Sequence, residues 1–269
     1  MIDGTTAGTV CDSSLGMVVV PRAAEAAHHL GRSGACPDRS TLAVMNTSTR
    51  SRVAAVLLVL GSLTFTLGDL LRRLVVPSGN PSAAALTQAV ADHRGAWLAA
   101  GLCSMMAALA LAPGALALIP RSGTRGGRTT AAGAVMVAVG AIAAAAHAIA
   151  FFSPYALFGD AGTSDPALTA IDNASESYPL LVVVIVLFSV GMMLGSIVLF
   201  VGLRRARRVP IWSVVAAVVF VACGSSGGVV PGILGMVAAL AAFVPAARAL
   251  LTEPEAAGAM PARQVTLAG

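Results

Sequence analysis

The chain has 269 residues, 57% of them hydrophobic and 11% charged, and a mean hydropathy of +0.85. A soluble domain carries about 25% charged residues and has no interior large enough to hide such an apolar excess, so this composition excludes a soluble globular protein and makes lipid the solvent. The net charge of +5 does not point to nucleic acid, because all seventeen basic residues are arginines set in short clusters between apolar runs, the pattern that orients membrane helices.

Residues 1–44 are rich in small and polar side chains, and their one short apolar run, 15–20, ends at Pro21 with no cleavage pattern behind it. Met45 is followed by Asn46, Arg50 and Arg52 and then by a span, as a short basic leader would be. The first 44 residues are therefore expected to be a disordered tail or a mis-called start. The first span is predicted over 53–71, ending at Asp69 and then Arg72 and Arg73. After Pro77, Gly79 and Pro81, Ser82 is placed to cap a short surface helix over 83–93 that Gly95 closes. Leu86, Ala89, Val90 and His93 share one face of it. The second span, 96–119, begins at Trp97, at the depth where indoles favour the membrane interface, and Pro113 is expected to kink it.

Arg121, Arg125 and Arg128 make a basic loop assigned to the inside. The third span, 130–152, is alanine-rich, carries His147, and has Gly133 and Gly140 on one face for close packing. The loop 153–179 holds Asp160, Asp165, Asp172 and Glu176 without a basic residue, which suits the outside, and Asp165-Pro166 reads as the start of a second surface helix. The fourth span, 180–203, has no charge and runs into Arg204, Arg205, Arg207 and Arg208, so that end faces the cytoplasm. Its Gly191 and Gly195 form a GxxxG for helix packing. Spans five (211–223) and six (229–251) are joined by a glycine-serine turn; the fifth is short, and a re-entrant hairpin is its alternative. Residues 252–269 are expected to be a disordered cytoplasmic tail.

The predicted fold class is thus all-α: a polytopic transmembrane helix bundle of about six spans over 45–251, in the cell membrane, with both termini cytoplasmic. An internal repeat at an offset of about 82, aligning Ala85-Leu86-Thr87 with Ala167-Leu168-Thr169, divides it into three helical hairpins. The absence of lysine fits a GC-rich bacterial genome.

Chemical motifs are few. The cysteines Cys11, Cys36, Cys103 and Cys223 have neither disulfide-framework nor zinc-site spacing. His147 is the single intramembrane histidine, where haem b needs a pair. No cofactor or metal is expected. Gly224-Ser225-Ser226-Gly227 resembles the nucleophile turn of rhomboid proteases, but every histidine lies upstream of it, so no catalytic set is identified. The stretch Asp92-His93-Arg94-Gly95-Ala96-Trp97, with the alanine-rich spans after it, resembles small multi-pass membrane proteins of actinobacteria, a group with no assigned activity. Asp69 and His147, close to one end of spans one and three, are the candidate intramembrane polar pair; Asp69 also stands three and four residues before Arg72 and Arg73, where it can pair with them. The expected partner is the lipid bilayer, nucleic acid is not expected, and a membrane-protein partner or a second copy stays open. The scarcity of intramembrane charge favours a structural or regulatory membrane component, with a small-solute or proton-coupled transporter as the alternative.

Overall fold

The computed structural model describes residues 39–77, 81–120 and 125–252, and these are all-α. In chain order the helices are α1 (Arg39–Val75), α2 (Ala83–Asp92), α3 (Arg94–Leu116), α4 (Gly127–Ala161), α5 (Asp165–Ser177), α6 (Pro179–Arg205), α7 (Ile211–Gly224) and α8 (Val229–Thr252). Helices α1, α3, α4, α6 and α8 are long and apolar enough to cross a membrane. Helix α7 has 14 residues. At about 1.5 Å per residue it reaches only about 21 Å of a hydrocarbon core about 30 Å thick.

These six helices form a closed ring. Each packs on its successor, α1 on α3, α3 on α4, α4 on α6, α6 on α7 and α7 on α8, and α8 returns to α1. Neighbours run antiparallel, so Asp69, Asp92, Asp160, Asp165 and Asp172 gather at one end of the ring, and Arg125, Arg128, Arg204, Arg205, Arg207, Arg208 and Arg248 at the other. We call these the acidic end and the arginine end.

The arginine half is solidly packed. Leu58, Leu111, Leu118, Val137, Leu199, Phe200, Leu203 and Phe243 are buried there in one core. Small residues bring the backbones together: a Cβ on Gly114 would lie 2.8 Å from the Leu58 backbone, and one on Gly140 would lie 2.6 Å from the Gly191 carbonyl carbon. Gly195 faces Met136 and Val137 in the same α4–α6 seam. Both glycines of the GxxxG therefore lie in a seam within the chain.

The two short helices sit at the acidic end. Ser82 caps α2 by accepting from the Ala85 amide, and α2 buries Leu86 and Val90 against the aromatic rows of α3 and α4. Ser164, one residue before the expected Asp165, is the N-cap of α5. The starts of α2 and α5 are thus close to one repeat apart, each ahead of the second helix of a hairpin.

Several local expectations are corrected. The break after α2 falls at His93, whose φ of −128° and ψ of 39° leave the helical region, while Gly95 lies inside α3. Trp97 is 2% exposed and packs inside the bundle, not on its outer surface. Its indole Nε1 donates to the Phe152 carbonyl at 2.8 Å, and its ring packs on Phe151 and Phe152, so a partner inside the bundle outweighs the interface. Pro113 lies within the last turn of α3, which continues to Leu116, so it does not break the span in its middle. Helix α1 begins at Arg39, upstream of the expected span and of Met45. The remainder of the two expected tails, 1–38 and 253–269, and Arg121 lie outside the described residues.

Candidate functional site

In the acidic half the ring does not fill its own centre. It leaves a cavity of about 300 Å³ whose wall takes residues from all six ring helices. The aromatic part is built by Phe65 of α1, Phe188 of α6 and Phe220 of α7, with ring centroids 6.2 Å (Phe65 to Phe188) and 6.3 Å (Phe65 to Phe220) apart. Successive turns of α1 then carry the wall from Phe65 to Asp69 and Arg72 towards the acidic end. Met192 and Met193 also line it, and they belong to a π-turn, Val190–Leu194, inside α6. Such one-turn widenings are costly and recur at functional sites, because they aim side chains that a regular helix would turn away.

The sequence-predicted pair shares this cavity. Asp69 and His147 both line it. Asp69 is engaged by arginine: Oδ1 accepts from Arg72 at 2.8 Å, and Oδ2 accepts from Arg73 at 2.6 Å. The imidazole of His147 stacks on Phe151 and Phe188, with centroids 5.7 Å and 5.5 Å away. Those contacts are made through the faces of the ring. No direct bond joins the two side chains.

What local sequence cannot show is the role of Arg73. Its side chain is 2% exposed although it stands in the last turn of α1. Besides Asp69 it donates to the carbonyls of Cys223 at 3.1 Å, Gly224 at 3.3 Å and Gly228 at 3.0 Å, and to that of Ser226. The reason is the shortness of α7. With 14 residues it is shorter than the spans around it, which have 23 or more, and a helix C-terminus without donors would be costly in hydrocarbon. One guanidinium, with five N–H donors in a planar fork, supplies them, and the negative end of the helix dipole favours a cation there. The one carboxylate beside it balances part of the charge.

The glycine-serine turn is held by this same residue and not by catalytic partners. The Ser225 hydroxyl donates back to the Ala222 carbonyl at 3.0 Å, and that of Ser226 to the same carbonyl at 2.8 Å. At the surface, Arg94 pairs with Asp160 at 2.5 Å and Asp92 accepts from Gln88 at 3.0 Å, so the Asp92-His93-Arg94 stretch is a polar helix junction. Among the described residues, no three histidine, cysteine or acidic side chains come together to hold a metal. No protein-family model, no curated protein and no solved structure matches this chain.

Proposed function

We propose that this chain is a multi-pass protein of the cell membrane, with both termini in the cytoplasm, whose helix ring binds a small ligand from the outer side. The observation that carries the binding is the cavity: one half of the ring is filled by a buried apolar core, while the other holds about 300 Å³ bounded by aromatic rings, two methionines and the polar side chains of Asp69, Arg72 and His147. Ligand sites have this make-up, mostly apolar walls with a few convergent polar groups. A purely supporting bundle has no use for a cavity, nor for a π-turn in its wall.

Orientation rests on charge. Basic clusters beside spans resist translocation, which makes the arginine end cytoplasmic. The arginines at the acidic end do not oppose this, since Arg72 and Arg73 share Asp69 and Arg94 faces Asp160. Proton coupling is not part of the reading, because Asp69 pairs with Arg72 and Arg73 and no hydrogen bond joins it to His147. The structural or regulatory alternative draws its support from the packed arginine half.

Native mass spectrometry of the protein released from nanodiscs tests the binding. We expect a small-molecule adduct on the wild-type chain that is lost in Ala144→Trp, which fills the cavity from α4. Equal adducts on both, or none on either, would count against it.

A further inference from the structure

Resting on that reading, we infer that the cavity's ligand is an amphipathic anion with a medium-length apolar chain, its head held by Arg72. Two features of the cavity lead there. The first is the charge balance at its polar end. Asp69 contributes one negative charge, and Arg72 and Arg73 contribute two positive ones within 3 Å of it. The backbone does not cancel the surplus: the C-terminus of α7 presents about half a negative charge and the N-terminus of α8, through Pro231 and Gly232 in the cavity wall, about half a positive one, so the two helix ends offset each other. One positive charge is left over. Arg73 is buried away among carbonyls and does not line the cavity, so the surplus is expressed through Arg72, whose side chain is 35% exposed and does line it. Arg72 uses Nε and one terminal nitrogen on Asp69 Oδ1, which leaves its other terminal nitrogen for a ligand oxygen.

The second feature is the shape and lining. Beyond Arg72 the wall is mostly apolar, with Phe65, Phe188, Phe220, Met192 and Met193, and its one carboxylate, Asp69, is already paired with two arginines. A volume of about 300 Å³ lies at the lower end of the roughly 300–1,000 Å³ of small-ligand pockets, which suits a chain of about eight carbons with its head. Methionine thioethers and phenyl rings suit a flexible alkyl chain because they adapt to it without demanding hydrogen bonds. His147 stands along the same wall and offers a second polar contact for the head.

The test uses Cys223, a half-buried free cysteine in the cavity wall, as the reporter. In the full-length chain carrying C11S, C36S and C103A, in nanodiscs, the rate of Cys223 modification by neutral methyl methanethiosulfonate is measured with octanoate and with octanol. Octanoate is expected to protect, octanol to protect at least about tenfold less strongly, and Arg72→Gln to weaken octanoate protection about tenfold while leaving that by octanol unchanged. Arg72→Lys, which keeps the charge, should retain most of the octanoate effect and guards against a folding defect in the glutamine variant. Equal protection by octanoate and octanol, untouched by Arg72→Gln, would overturn the anion while leaving a binding cavity in place. A reactive Cys223 that neither compound protects would overturn the amphipathic ligand, and a Cys223 that does not react would overturn the accessible cavity itself.

Discussion

Replacing Arg73 by methionine, which keeps much of the length and removes every donor, should be the most damaging single change at the acidic end. The substitution strands the carbonyls of Cys223, Gly224, Ser226 and Gly228 and removes one of the two arginines on Asp69. A buried acceptor left without a donor costs about 1–3 kcal/mol, but these four share two nitrogens and Gly224 and Ser226 are exposed, so simple addition overstates the loss. Breaking a buried charge network by removing one partner costs about 3–5 kcal/mol, and that is the figure we expect. At about 2–4 °C per kcal/mol for a chain of this size, the melting temperature should fall by about 10 °C. Arg73→Lys should sit between, because an ammonium keeps the charge but not the fork. Arg72→Gln should cost about 0–1 kcal/mol, since its partly exposed ion pair is the weaker kind and Arg73 still holds Asp69. The assay is thermal unfolding in detergent followed by size-exclusion, with hydrogen exchange over 211–228 to locate the damage. An Arg73→Met chain that melts within about 2 °C of wild type, or equal losses for the two arginines, would refute the capping argument.

Three further outcomes follow from the packing and the topology. Gly140→Ala should destabilise by at least about 1–3 kcal/mol, because the new methyl meets the Gly191 backbone and not a side chain able to move, and an unchanged melting temperature would contradict the α4–α6 seam. Trp97→Phe should cost about 1–2 kcal/mol by removing the donor to the Phe152 carbonyl, seen as loss of stability and faster exchange around α2, while a neutral result would return Trp97 to the interface. A cysteine at position 160 should react with an impermeant maleimide in intact cells and one at position 125 should not; the reverse pattern would invert the orientation.

Much of the architecture is legible because it follows from solvent. Runs without charge over 53–68, 96–119, 130–152 and 180–203 have nowhere to go but lipid, and the last of these, ahead of four arginines, marks a span and its end together. Ser82 is legible for an equally local reason, since a cap satisfies amides three residues away. What local reasoning misses is made by distance. The carbonyl partners of Arg73 lie 150 to 155 residues downstream, so the sequence shows its pairing with Asp69 and nothing more. Trp97 reads as an interface residue until Phe152, 55 residues on, supplies an acceptor. The π-turn at Val190–Leu194 has no composition that sets it apart from the apolar run around it, and the cavity arises only when six helices are set side by side. Asp69 and His147 stood out as rare polar residues in spans; that both line one cavity follows from the ring, and that Asp69 is taken by two arginines follows from its spacing on α1.

The most direct measurement of the central claim, a ring open to the outside in one half and closed in the other, is the side from which Cys223 can be reached. In the chain whose remaining cysteines are replaced, a small charged, membrane-impermeant methanethiosulfonate added to sealed, right-side-out vesicles should modify Cys223, and Ala144→Trp should slow the reaction. Modification only in inverted vesicles, or a rate that Ala144→Trp leaves unchanged, would contradict the account.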